Sequence, residues 1–122
     1  MNDYKMKIGI LTSGGDAPGM NSAIRAVVRT ALANNVGVIG VMNGYEGLLN
    51  GEFKTLGARD VGGILQRGGT VLQTSRSKRF QESSGQRDAI RKMNETGMDA
   101  LIVVGGEGSM NGAFALSKQG VK

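Results

Sequence analysis

The sequence predicts an α/β fold, a parallel sheet with helices on both faces. Three observations lead there. Short apolar runs recur at residues 7–12, 36–42 and 100–104. Segments with helical periodicity separate them, and alternation of this kind implies parallel strands joined by helical crossovers. Glycine-rich turns, "TSGGDAPG" and "GGEGS", follow the first and last runs directly, and a parallel sheet opens its ligand crevice at the carboxyl ends of its strands.

Each element has its own signal. "KIGILT" is short, apolar and bounded by glycine, the pattern of a buried strand. Residues 20–35 carry Ile24, Val27, Val28, Ala31 and Leu32 at helical spacing, and Pro18 just ahead has a φ that a helix start tolerates. "VGVIGVM" predicts the second strand. "NGYEGLLNG" reads as a loop, with glycine and Asn-Gly punctuation. Residues 60–66 read as a short helix capped by Asp60. Residues 84–96 predict a longer helix with Ala89, Ile90 and Met93 on one side and Gly97 closing it. "ALIVV" is the third strand. Residues 109–119 form a last helix with Met110, Ala113, Phe114 and Leu116 apolar, ended by Gly120. After that helix the alternation calls for another strand, so the chain reads as interrupted at Lys122.

Composition narrows the function classes. The 122 residues suffice for one domain with its own core. With no cysteine there is no disulfide framework and no thiolate metal site. No apolar run approaches the ~20 residues of a membrane span, and the first residues lack a signal-peptide core; the expectation is a soluble, cytoplasmic protein without a membrane partner. The formal charge of +5 suits an anionic ligand. Three Phe, two Tyr and no Trp make a poor base-stacking platform, which argues against nucleic acid and for phosphate groups.

The glycine turns then acquire a purpose. A helix N-terminus presents unpaired N–H groups and partial positive charge. Phosphate oxygens accept those bonds where no Cβ obstructs the approach. Gly14, Gly15, Gly105, Gly106 and Gly108 thus read as phosphate-facing backbone. A lone carboxylate beside phosphate calls for a cation between them, and Mg²⁺ commonly takes one or two carboxylates plus phosphate oxygens; Glu107 is the candidate ligand. In "RGGTVLQTSR", Thr70, Thr74 and Ser75 are hydroxyl donors ahead of Arg76, whose forked cation suits phosphate. Arg25 and Arg29, four apart on one helix, read from spacing alone as a solvated face. There is no G-x-x-x-x-G-K-[ST] loop and no G-x-G-x-x-G fingerprint. Histidine is absent, and with it the commonest general base.

Four segments together, "ILTSGGDAPGMNSAIRAVVR", "GYEGLL", "RGGTVLQTSR" and "LIVVGGEGSMNGA", resemble the N-terminal third of the 6-phosphofructokinase family, in family order and spacing. The resemblance implies a Rossmann-like three-layer fold, incomplete here. Residues 1–122 would be the N-terminal part of the ATP-binding domain. It implies a bacterial-type enzyme that transfers the γ-phosphoryl of ATP to the 1-hydroxyl of fructose 6-phosphate with Mg²⁺. By position, Gly15 lies by the ATP phosphates and Tyr45 by the adenine. Arg76 and Ser77 contact ATP, with Arg76 by the transferring group. Gly106, Glu107, Gly108 and Ser109 form the nucleotide and magnesium loop. Arg25 and Arg29 match effector-site arginines that bind ADP or phosphoenolpyruvate between subunits of a homotetramer.

This chain departs from the family pattern in three places. The loop usually reads Gly-Gly-Asp-Gly-Ser, and here Glu107 replaces the aspartate. A further effector arginine falls near Ala58, and Arg59 stands adjacent. The catalytic aspartate lies in a Thr-Ile-Asp-Asn-Asp segment beyond Lys122, as do most sugar-phosphate contacts, so residues 1–122 alone are expected to be inactive. A pyrophosphate-dependent relative usually carries a second Asp where Gly108 stands. A non-catalytic nucleotide-binding module is the other alternative. A lipid or NAD kinase shares the glycine loop but leaves "GGDAPGMN" and "RGGTVLQTSR" unexplained.

Overall fold

The computed structural model describes residues 4–14, 19–63, 70–75, 77–105 and 107–122. Four strands form one sheet in the order β3-β2-β1-β4: β1 Met6–Thr12, β2 Val36–Val41, β3 Phe53–Leu56 and β4 Ala100–Val104. Central β1 pairs in parallel with β2 (Ile8 opposite Val38) and with β4 (Ile10 opposite Ile102). All three predicted strands are present and parallel. The addition is β3, an antiparallel edge strand on β2. Its residues "FKTL" bury only Leu56, so there was little hydrophobic signal to read.

Five helices are described: α1 Met20–Ala33, α2 Gly44–Asn50, α3 Ala58–Val61, α4 Ser83–Thr96 and α5 Glu107–Lys118, with a 3-10 turn at Arg79–Gln81 between α3 and α4. Successive side chains of a strand point to opposite faces, and the core divides accordingly. On one face Ile10, Val38 and Leu56 pack with Ile24, Val28 and Ala31 of α1, Val61 of α3 and Leu72. On the other, Leu11, Ile39 and Val41 pack with Tyr45, Leu48 and Leu49 of α2, Phe80, Ala89 and Met93 of α4, and Leu116 of α5. Helices thus cover both faces. None of the described helices is long and apolar enough to cross a membrane.

Three local expectations are corrected. The segment expected as a loop is helix α2. Tyr45, Leu48 and Leu49 stand at i, i+3 and i+4 and are all buried, and the flanking Asn43 (φ 61) and Gly51 (φ 72) are its left-handed ends, not loop residues. Asp60 is not the cap of the short helix. Gly57 is, and Asp60 reaches back so that its carboxylate accepts the Gly57 N–H at 2.7 Å. The helix is Ala58–Val61; residues 64–66 of the expected span lie outside the described residues. Helix α1 ends two residues early, where Asn35 turns left-handed at φ 58. Gly97 and Gly120 close their helices as expected, at φ 81 and 97.

Candidate functional site

From β1 the chain passes to β2 on one side, and later enters β4 on the other. The strand order therefore reverses beside β1, and the crevice between β1 and β4 is where such sheets take ligands. Two turns meet there. The Ser13 N–H donates to Val104 O at 2.9 Å. A Cβ on Gly105 would stand 2.6 Å from Ser13 O, so only glycine permits this approach. Both glycine loops therefore open at the same edge of the sheet. Gly14 (φ 86) and Gly19 (φ 95) bracket the first, and Gly19 starts α1 with no side-chain cap. Its residues 15–18 lie outside the described residues, Gly15 among them.

A third segment joins them. Thr12 is fully buried at the end of β1, and its hydroxyl contacts Thr70 Oγ1 at 3.0 Å and donates to Gln73 O at 3.0 Å. The Val71 N–H donates to Asn21 Oδ1, at the start of α1, at 2.7 Å. Among the described residues Thr12, Asn21 and Ser109 are the buried polar ones. All three stand at the carboxyl edge, and Thr12 and Asn21 offset the cost of burying a polar group with the hydrogen bonds above.

Beyond Arg76, which lies outside the described residues, Ser77 Oγ accepts the Phe80 N–H at 3.2 Å and starts the 3-10 turn. That turn is held firmly. Gln86 Nε2 donates to Phe80 O at 3.0 Å, and Arg79 pairs with Asp88 at 2.6 Å. The Phe80 ring stacks on Tyr45, centroids 4.2 Å apart at 17°. Tyr45 is 6% exposed, and its hydroxyl donates to Ser109 O in the first turn of α5 at 2.7 Å. Burial pushes the Tyr45 pKa up to about 12, because the phenolate loses hydration. Tyr45 thus ties the turn after Ser77 to the start of α5, a link that no local sequence signal announces.

Helix α5 opens at Glu107, just past the end of β4. Gly106 and the side chains at 107 and 108 are outside the described residues. Among the described residues no cluster of three metal-ligating side chains occurs. The carboxylate expected to meet a cation, that of Glu107, lies outside the described side chains. Arg25 and Arg29 lie on α1 and Arg59 on α3, helices packed on one face of the sheet. Arg25 Nε is buried with no hydrogen-bond partner among the described residues.

Fold and site together define an open α/β domain in which two glycine turns meet at the switch point of the sheet. The sequence matches the phosphofructokinase family over residues 7–122, and the chain belongs to that family. It is 54% identical over 116 residues to a Clostridium botulinum protein named ATP-dependent 6-phosphofructokinase, covering 95% of this chain and 36% of that one. An Aquifex aeolicus protein of the same name is 55% identical over 108 residues, 88% of this chain and 34% of that one. The chain therefore spans about a third of the length of the curated relatives it matches. Among solved structures, Pichia pastoris phosphofructokinase in the T-state superposes with a TM-score of 0.92 at 43% identity, over 96% of this chain and 14% of that one. A pyrophosphate-dependent phosphofructokinase from Marinobacter aquaeolei reaches 0.81 at 19% identity, over 93% of this chain and 29% of that one, a likeness of fold alone.

Proposed function

We propose that these residues furnish the ATP-phosphate side of a 6-phosphofructokinase, which in the complete protein transfers the γ-phosphoryl of ATP to the 1-hydroxyl of fructose 6-phosphate. The observation that carries this reading is the meeting of two glycine turns at one sheet edge, joined by the Ser13–Val104 hydrogen bond. Phosphoryl transfer is largely a matter of positioning and charge stabilisation. Backbone N–H groups at Gly14, Gly15 and Gly106 and the N-terminus of α5 receive phosphate oxygens. Ser77 keeps its hydroxyl proton free to donate, since its oxygen accepts from Phe80. Arg76 offsets charge on the transferring group. Ser109 and Gly108 line the first turn of α5, and Tyr45 supports that turn at the adenine end. Glu107 holds Mg²⁺, which when bound neutralises charge on the phosphates.

Arg25, Arg29 and Arg59 form, on this reading, an effector site for ADP or phosphoenolpyruvate, completed between the subunits of a homotetramer. The unpartnered Arg25 Nε supports it as a donor without an acceptor. The test is a coupled assay on the complete protein with fructose 6-phosphate, Mg²⁺ and either ATP or pyrophosphate. The expected result is fructose 1,6-bisphosphate from ATP, and Glu107→Ala raising the Mg²⁺ requirement more than it weakens metal-free nucleotide binding. Transfer from pyrophosphate and not ATP, or no transfer at all, refutes the reading.

A further inference from the structure

We infer that Thr12 is a positioning residue: its buried hydroxyl fixes the left-handed backbone of Gln73 and thereby sets the course of Thr74 and Ser75 along the crevice. The inference rests on the phosphate-site reading of that crevice and adds a residue to it. Position 12 ends a buried strand, where valine fills the same volume without a polar atom to satisfy. A hydroxyl there is costly unless paired, and it is paired twice, to Thr70 and Gln73.

One proton arrangement satisfies every contact. The Leu72 N–H donates to Thr70 Oγ1 at 3.2 Å. Thr70 in turn donates to Thr12, and Thr12 donates to the Gln73 carbonyl. Such chains strengthen their members. The end of this chain is Gln73, at φ 64, a conformation that side chains with a Cβ disfavour. Strain of this kind persists where surrounding structure over-determines it. Here Thr12 holds the carbonyl from β1, and Gly44 lies under the other end of the segment: a Cβ on it would come within 3.4 Å of Ser75 N and O. The segment is clamped from two sides before any ligand arrives, so its hydroxyls start from a set backbone.

The experiment uses the complete protein and the variants Thr12→Val, Thr12→Ser, Gln73→Pro and Thr12→Val/Gln73→Gly, with kcat and KM for ATP measured beside the unfolding midpoint. Loss of the clamp is expected to lower kcat/KM for ATP by about tenfold in Thr12→Val, as a misplacement of under an ångström does. Thr12→Ser keeps the hydroxyl and stays within about twofold of wild type. Glycine at 73 needs no clamp to hold φ 64, so the double variant recovers most of the loss. Gln73→Pro, at an exposed position whose φ proline cannot adopt and whose N–H donates to Thr70 O at 3.3 Å, shows the same loss in kcat/KM for ATP together with a lowered midpoint, and carries the test should Thr12→Val not fold. Unchanged kcat/KM in Thr12→Val or Gln73→Pro overturns the proposal, as does a double variant no better than Thr12→Val. A wild-type protein that neither binds nor turns over ATP sinks the functional reading and this proposal with it.

Discussion

Gly85→Ala sets two physical arguments against each other with opposite signs. Gly85 sits in the first turn of α4. On helix propensity alone, alanine there stabilises by about 1 kcal/mol. The packing says otherwise. A Cβ at 85 overlaps the Arg79 carbonyl oxygen and stands 2.6 Å from its carbonyl carbon and 3.2 Å from Phe80 N. These are backbone atoms, which no rotamer change removes. To reach ordinary contact the 3-10 turn has to retreat by roughly 1.5 Å. That stretches the 3.0 Å Gln86–Phe80 bond beyond hydrogen-bond range and lifts Phe80 off its 4.2 Å stack on Tyr45. Overpacking costs about 1–3 kcal/mol and the lost hydrogen bond about 1. The net expectation is a loss of about 2 kcal/mol after the propensity gain. Urea titration of wild type and variant measures it through the midpoint at constant slope. Because the turn follows Ser77, the variant is also expected to raise the KM for ATP. A Gly85→Ala protein as stable as wild type, or more so, refutes the close-approach argument.

Other expectations follow from the same geometry. Gly47→Ala drives a Cβ into the Met42 carbonyl inside the β2–α2 connection and is expected to cost about 3 kcal/mol or more, read by the same titration. Asp60→Ala loses the bond to Gly57 N–H and is expected to cost about 1 kcal/mol, whereas Lys54→Ala breaks only a 3.6 Å pair with Lys54 60% exposed and is expected to cost under about 0.5; equal effects from the two reject this ranking. The raised Tyr45 pKa means that the folded state holds its proton more tightly than the unfolded state does. Stability from this group is complete below pH ~10, the ordinary tyrosine value. It is lost as pH rises through that value towards about 12. Phenolate absorbance of wild type minus Tyr45→Phe measures the midpoint, and one at the ordinary value contradicts the burial argument.

The three parallel strands, the long helices and the two glycine turns were legible in the sequence because their signals are local. Residues 7–12, 36–42 and 100–104 are continuous apolar runs, fully buried through β2 and the end of β1 and half-buried in β4, and α1 and α4 repeat their apolar residues at helical spacing. Glycine pairs directly after strands announce a crevice because the reason for them, close backbone approach, is itself a local property. Helix α2 escaped because seven residues with two glycines, flanked by Asn43 and Gly51, have weak helix propensity, and the burial of Tyr45, Leu48 and Leu49 against the sheet and α4 favours the helix. Strand β3 escaped because an edge strand exposes most of its side chains and takes its stability from pairing with β2. What the sequence by itself determined was the layered α/β class and the placement of glycine turns directly after β1 and β4, since both follow from residue types at fixed spacing. What only the tertiary structure decided was which groups touch across long separations: Thr12 with Gln73, Asn21 with Val71, Tyr45 with Phe80 and Ser109. Those contacts depend on strand order and on the side of the sheet each helix covers, which no spacing along the chain encodes.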